Sequence, residues 1–199
     1  NGIPVSVIIN PEHRDFFDFC LGDDVDFIYQ NKQLGTGHAV LQANKKIMEY
    51  KDIYVFVGDS PFVDSSLISR MYKKHINDDN DLTILSSVFK NKKFPYARIV
   101  RYENGELKKI VEEINASKKE LSIKELFCSH YLFKSDVLSD YIMKLKVNTK
   151  TNEINLTDII NNLIIDKRKV NSIIVDDSRK LIGLNTLENI KWAESQKMI

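Results

Sequence analysis

Cysteine, tryptophan, proline and glycine are all scarce in this chain, and each scarcity closes off a class of protein. Only two cysteines, Cys20 and Cys128, occur in 199 residues. They are too few and too separated for a disulfide framework or a thiolate metal cluster, and read as two isolated core thiols. Four prolines and seven glycines leave no material for a collagenous, low-complexity or linker segment. No apolar run is long enough to span a bilayer and no signal peptide opens the chain, so a cytoplasmic location is the default expectation, with no membrane partner. Charge of one sign is missing too. A formal net charge of +1 gives no field that would select nucleic acid or an acidic membrane.

Several catalytic motifs are also absent. Gly35-Thr36-Gly37 lacks the third glycine of a dinucleotide fingerprint, which argues against an oxidoreductase. No nucleophile elbow is present, which argues against a serine hydrolase. His13, His38, His75 and His130 show no ligand-like spacing to one another. Cys128 and His130 fall on one face of a predicted strand and read as a packed core pair rather than a metal site.

What remains is ordinary globular material, 43% hydrophobic and 29% charged, of a length that fits one domain over residues 1–199. Buried-type strands are predicted at Val5–Ile9, Val25–Tyr29, Ile53–Val57, Leu82–Phe89, Phe127–Phe133 and Val170–Val175. A hairpin joins Tyr96–Tyr102 to Leu107–Glu112 through Asn104-Gly105. Helices are predicted from Pro11 with Asn10 as cap, over Thr36–Tyr50, from near Val63, and over Ala116–Leu126, Ser135–Lys146, Thr157–Lys167 and Leu187–Met198. Strands alternating with helices indicate a mixed, mainly parallel α/β sheet flanked by helices, with antiparallel pairing added by the hairpin.

Two stretches carry candidate chemistry. Val25–Tyr29 runs through Gln30 and Gln33 into Gly35-Thr36-Gly37 and a helix. Glycines allow a ligand close to the backbone, a helix N-terminus favours an anion, and glutamine amides can read a base edge. The alternative is a plain strand–loop–helix connection with Thr36 as N-cap. The second stretch is Asp59, just beyond the apolar run Ile53–Val57, where open α/β sheets bind ligands. Asp59 fits a metal ligand or the cap of the helix near Val63 equally well.

Taken in order, Gln30…Leu34-Gly35-Thr36-Gly37-His38-Ala39, Val57-Gly58-Asp59-Ser60-Pro61, Tyr96-Ala97-Arg98-Ile99, Ile110-Val111-Glu112, Glu153…Leu156-Thr157-Asp158 and Gly183-Leu184-Asn185 resemble the sugar-1-phosphate nucleotidyltransferases. The likeness is strongest to the uridyltransferase domains of bacterial N-acetylglucosamine-1-phosphate uridyltransferases. The resemblance implies a Rossmann-like nucleotide-diphospho-sugar transferase fold. It implies transfer of a nucleotidyl group from a triphosphate, UTP by likeness, to a sugar-1-phosphate, with release of pyrophosphate and no covalent protein nucleophile. Catalysis of this kind is positioning and charge neutralisation. By the same resemblance Gln30, Gly35 and Thr36 hold the nucleotide, Asp59 and Asn185 hold Mg²⁺, and Ala97, Glu112 and Phe127 stand at the sugar site.

The departures from the family pattern carry expectations of their own. The family's Gly-rich phosphate loop and first strand are absent from the chain. That strand is expected between Val5–Ile9 and Ile53–Val57, supplied by a missing N-terminal segment or a second polypeptide. Direct pairing of those two strands would overturn this expectation. Ala97 replaces a glycine, costing roughly 1 kcal/mol if the position needs positive φ. Glu125-Leu126-Phe127-Cys128-Ser129-His130-Tyr131 places Phe127 where a sugar-binding asparagine is expected, a loss of about 1–3 kcal/mol per buried hydrogen bond. Ile182 replaces a carboxylate. A degenerate relative that binds nucleotide or a partner without turnover is therefore the alternative function.

Overall fold

The alternating signals resolve into strands and helices in a computed structural model that describes residues 2–90, 94–196 and 198. The chain forms two units by contact, Asn1–Lys51 with Ser135–Ile159, and Asp52–Lys134 with Ile160–Ile199.

In the first unit, β1 (Ser6–Ile9) and β2 (Asp26–Tyr29) pair in parallel, Ser6 opposite Asp26 and Ile9 opposite Tyr29. The predicted cap between them is present: Asn10 Oδ1 accepts from Glu12 N at 3.0 Å, opening a 3₁₀ turn at Pro11–His13 ahead of α1 (Arg14–Leu21). The predicted helix from Thr36 to Tyr50 is instead α2 (Thr36–Gln42) and α3 (Asn44–Ile47), broken at Ala43. Val40 and Ile47 are buried, as are Val137, Leu138, Tyr141 and Ile142 of α5 (Ser135–Ile142). Their i, i+3 and i+4 spacings give the unit its core, each side chain contributing roughly 1.5–3 kcal/mol on burial.

The second unit holds β3 (Asp52–Val55), α4 (Ser65–Asn77), β4 (Leu82–Val88), β5 (Ala97–Arg101), β6 (Leu107–Val111), β7 (Glu125–Lys134), β8 (Val170–Val175) and α7 (Leu187–Ser195). A further helix, α6 (Asp158–Ile165), begins in the first unit and ends here. Strand order is β6-β5-β7-β4-β8, with β3 also on β7. Parallel pairing joins β4 to β8. Antiparallel pairing is not confined to the hairpin, because β7 runs against β3, β4 and β5 alike. One polar row pins the register. Arg101 Nε donates to Glu125 Oε2 at 2.7 Å, Ser86 Oγ to Glu125 Oε1 at 2.7 Å, and Arg101 Nη2 to Ser172 Oγ at 2.7 Å, linking β5, β7, β4 and β8.

β7 carries the feature that shapes the unit. Ile84 pairs with Tyr131 and Ser86 with Phe127, so Cys128, Ser129 and His130 together stand opposite Leu85. Such a bulge bends a strand and re-aims its neighbours. On the other edge the partner changes at the same place: β5 pairs at Leu126 and Phe127, β3 at Tyr131–Lys134. Ser129 takes φ +59° to make the turn. Ala97, by contrast, lies in β5 without positive φ. The backbone strain expected at Ala97 is at Ser129 instead.

Other expectations also need correction. Cys20 is exposed on α1, which buries none of its residues, and only Cys128 is a core thiol, its pKa pushed up by burial. Ala116–Leu126 is not a helix: 3₁₀ turns at Glu113–Asn115 and Glu120–Ser122 precede β7. Glu120 Oε2 accepts from both Ser117 N and Ser117 Oγ, closing a local turn in a segment with no apolar stripe to bury. The run Ile53–Val57 is strand only to Val55, and β3 is partly rather than fully covered. Among the described residues β1 takes its ladder from β2, and β3 takes its ladder from β7. The closing helix ends at Ser195, and Lys197 lies outside the described residues. Among the described residues no helix is long and apolar enough to cross a membrane.

The bulge generates two predictions. Ser129→Gly removes left-handed strain and is expected to raise stability by up to about 1 kcal/mol in urea denaturation, the gain limited by glycine's looser unfolded state. His130 is wholly buried, and neither ring nitrogen meets a hydrogen-bond partner in good geometry. Burial pushes its pKa from 6.5 down to about 4, and the nearby Cys128 backbone offsets only a small part. The folded value lies below the unfolded one, so this stability is full above pH 6.5 and falls as the pH drops toward 4. Between pH 7 and 5 the loss is about 2 kcal/mol. His130→Leu is expected to flatten that slope in denaturation curves at the two pH values.

Candidate functional site

The sequence candidates divide between the two units. In the first, Gln30 directly follows β2, and Gly35 is the N-cap of α2 with φ +98° and ψ 172°, a region open to glycine. An ideal Cβ on Gly35 would lie 2.5 Å from Ile154 O, and one on Gly37 would lie 2.8 Å from Ile154 Cγ2 and Leu145 Cδ1. The lack of a side chain at both glycines therefore admits the chain's own segment Glu153–Ile154. Hydrogen bonds lock this approach: Gly37 N donates to Ile154 O at 2.8 Å, Ile154 N to Leu34 O at 2.8 Å, and Leu156 N to Thr36 Oγ1 at 3.0 Å. Thr36 is thus the first residue of the helix rather than its cap, and its hydroxyl holds a neighbouring strand of chain.

Gln30 is half engaged. Its Nε2 donates to Gly35 O at 3.1 Å and lies 2.9 Å from His38 Nδ1, which fastens the amide across the turn. Its carbonyl oxygen meets no donor among the described residues. The turn also exposes the side chains of Asn31, Lys32 and Gln33.

In the second unit, Asp59 lies beyond the end of β3, at the fork where β3 gives way to β5 along β7. Asp59 is not a helix cap. That role falls to Asp64, whose Oδ1 accepts from Leu67 N at 2.9 Å and whose carboxylate is held well below its usual range, chiefly by Lys180. Lys180 lies in the 3₁₀ turn Ser178–Leu181, which leads into Gly183. An ideal Cβ on Gly183 would lie 2.7 Å from Asp59 Oδ2 and 3.0 Å from Asn185 Nδ2. Asp59 and Asn185, apart in sequence, therefore converge on one glycine. Leu184 N donates to Asp59 O at 2.7 Å and fixes the two loops to each other. Asn185 stands at the foot of α7, where Thr186 and Asn189 form a reciprocal capping box and Asn189 Oδ1 accepts from Asn185 N at 3.2 Å.

One carboxylate beside one side-chain amide suits Mg²⁺, which takes few protein oxygens and keeps places for water and phosphate. Asp59 makes no ion pair among the described residues, and no group of three or more His, Cys, Asp or Glu able to hold a metal occurs among them. The Asn185 atom placed nearest Gly183 is Nδ2, so the pair would hold the ion only with that amide turned over to present its oxygen beside the Asp59 carboxylate.

The three candidates for a sugar site fall in one row. Ala97 pairs with Phe127, and Arg98 with Val111, so Glu112 comes into line with Ala97 across β6, β5 and β7. Ala97 and Phe127 are buried, and the Phe127 ring packs edge-on to Tyr131 at 5.0 Å. Glu112 is half-buried at the end of β6. Ile182 is in the core. Tyr96, which sequence reasoning gave no role, hydrogen-bonds to Gly183. The Tyr-Ala-Arg motif was the signal that could have found it.

A mixed α/β sheet with a carboxylate just past a strand end places the chain among proteins that bind ligands at that edge. The family described as Nucleotidyl transferase matches residues 2–193, and the chain belongs to it. Over 181 residues it is 39% identical to the "Bifunctional protein GlmU" of Acetivibrio thermocellus, covering 90% of this chain and 38% of that protein. Against the protein of the same name from Caldicellulosiruptor saccharolyticus it is 32% identical over 193 residues, covering 96% and 42%. The chain thus spans about two fifths of the length of these relatives. A solved UDP-glucose pyrophosphorylase in complex with UDP-glucose shares the fold, with a TM-score of 0.69 at 16% identity over 98% of this chain and 81% of that one.

The two crowded glycines give opposite predictions for the same substitution. Gly35→Ala drives a Cβ into a backbone carbonyl at a positive φ and is expected to cost about 2–4 kcal/mol in urea denaturation. Gly183→Ala meets only side-chain ends. It is expected to leave stability within about 1 kcal/mol while weakening Mn²⁺ binding measured by titration.

Proposed function

We propose that this chain is the nucleotidyl-transfer domain of an enzyme that makes a nucleotide sugar. A sugar-1-phosphate oxygen attacks the α-phosphorus of a nucleoside triphosphate, the bond to the β-phosphate oxygen breaks, and pyrophosphate leaves with the bonding electrons. UTP is the triphosphate we assign and N-acetylglucosamine-1-phosphate the first acceptor to test, because the GlmU relatives match over most of this chain. The observation that carries the reading is the convergence of Asp59 and Asn185 on Gly183.

In this reading Asp59 and Asn185 hold Mg²⁺, which when bound neutralises charge on the triphosphate and on the departing pyrophosphate. The chain's own residues orient. Asp59 and Asn185 stay aligned because Leu184 and the α7 cap fix their backbones. The Gln30 carbonyl and Thr36 hydroxyl offer an acceptor and a donor to the nucleotide, and Glu112 offers a carboxylate to sugar hydroxyls. β1 and β3 each carry a ladder on one edge. The full-length protein is the sample to assay.

A second reading is a relative that binds nucleotide without turnover. It is favoured by Phe127, whose buried ring stands where a polar sugar contact is expected, and by the engagement of Gln30 within its own turn. Pyrophosphate release from UTP, CTP and dTTP with a panel of sugar-1-phosphates separates the readings. Turnover with any pair, lowered at least about 100-fold by Asp59→Ala, is the expected result. Nucleotide binding without turnover across the panel would establish the second reading.

A further inference from the structure

We propose that Tyr96 is a positioning residue for the Asp59–Asn185 pair, acting through the Gly183 amide; this rests on reading that pair as the metal ligands. Gly183 N donates to the Tyr96 hydroxyl oxygen at 2.9 Å. Gly183 is buried, so without this acceptor its N–H would lose a partner away from water. The adjoining Leu184 N is bound to Asp59 O at 2.7 Å. Two consecutive peptide N–H groups thus tie residues 183–184 to two loops that leave the fork in the sheet, one carrying Asp59 and the other Tyr96.

The Tyr96 ring is itself held. It stacks on Phe94 with centroids 5.2 Å apart and planes 2° from parallel, and meets Phe89 edge-on at 5.9 Å. It directly precedes β5, whose first residue Ala97 is paired with Phe127 beside the bulge. Burial pushes its phenol pKa up to about 12, so the hydroxyl stays neutral throughout the physiological range. Gly183 leaves no room even for a Cβ on the side facing Asp59, since one built there would lie 2.7 Å from Asp59 Oδ2 and 3.0 Å from Asn185 Nδ2. A displacement of the Gly183 backbone must therefore move both side chains. Groups that orient metal ligands from behind typically change metal affinity by about 10- to 100-fold when removed.

A hydroxyl that only satisfied a buried amide would affect stability and leave metal affinity alone. The test measures free Mn²⁺ by electron paramagnetic resonance against the full-length protein, alongside thermal unfolding. Compared are the unmodified chain, Tyr96→Phe, Asp59→Ala and Leu67→Ala, the last lowering stability from α4 within the apolar cluster that Tyr96 packs against while leaving the Tyr96–Gly183 hydrogen bond in place. The expected result is Mn²⁺ binding weakened about 10-fold in Tyr96→Phe, abolished in Asp59→Ala and unchanged in Leu67→Ala. Mn²⁺ affinity within twofold of the unmodified chain in Tyr96→Phe, with Asp59→Ala inactive in binding, would overturn the role of Tyr96 alone. Equal weakening in Leu67→Ala would overturn it too, by assigning the effect to stability. Unchanged binding in Asp59→Ala would remove the metal-ligand reading and this inference together. Should Tyr96→Phe fail to fold, amide exchange at Gly183 in the unmodified chain decides: protection that deepens with Mg²⁺ supports the role, and exchange at the rate of a free peptide, indifferent to Mg²⁺, overturns it.

Discussion

The bulge at Cys128–His130 is the constraint on which the second unit depends. A regular ten-residue strand would present one continuous edge to a single neighbour. The three residues standing against Leu85 on the β4 side bend the strand, and on its other edge β3 and β5 divide the pairing between them. The chain leaving β3 and the chain entering β5 emerge at the same place, which brings Asp59 and Tyr96 to one end of the unit. The cost is visible in the residues of the bulge. Ser129 adopts a left-handed conformation and His130 is buried without a good partner. Strain and unsatisfied polarity concentrated where candidate ligands converge is the pattern expected of a functional site rather than of a plain core.

Glycine does different work in each unit. At Gly35 and Gly37 the missing side chain admits the backbone of Glu153–Ile154, and the loop is thereby braced by a segment distant in sequence. At Gly183 the missing side chain admits two functional groups instead. One residue type serves packing in the first case and convergence in the second, and only contact distances separate them.

Much of the architecture was legible because periodicity reports burial. The apolar run Leu82–Phe89, the Asn104-Gly105 hairpin and the Asn10 cap each announce a local structure that long-range packing then keeps. Errors arose where a local signal had two physical outlets. Asp59 and Asp64 both precede α4, and only the hydrogen bond to Leu67 N decides which of them caps it. The Ala116–Leu126 segment has acceptable helix formers but no apolar face, so reciprocal Ser117–Glu120 hydrogen bonding wins. Cys20 follows Phe19 on a helix whose pattern looks core-facing, yet Phe19 and Cys20 are exposed. At the candidate site, the motif spacing pointed to Asp59 and Asn185, but it held no sign that Gly183 is where they meet. That depends on a close approach between loops more than a hundred residues apart.

If the row Glu112–Ala97–Phe127 is the acceptor site proposed above, it bears on selectivity through arithmetic rather than motif. With Phe127 buried against Tyr131, that position offers a sugar no hydrogen bond, and Ala97 offers only backbone. A site that loses one paired polar contact loses about 1–3 kcal/mol, or roughly 10- to 150-fold in affinity. The same loss does not fall on an acceptor that lacks the corresponding polar group, since nothing on it is left unpaired. Discrimination therefore shifts away from acceptors rich in hydrogen-bonding substituents at that position and toward those presenting an apolar or absent substituent there. The Asp59–Asn185 pair stands on other loops than this row and is joined to it through Tyr96, the residue before Ala97, whose hydroxyl accepts from Gly183 N. Of the departures from the family pattern, Ala97 and Phe127 fall in the proposed acceptor row, whereas Ile182 directly precedes Gly183, beside Asp59 and Asn185.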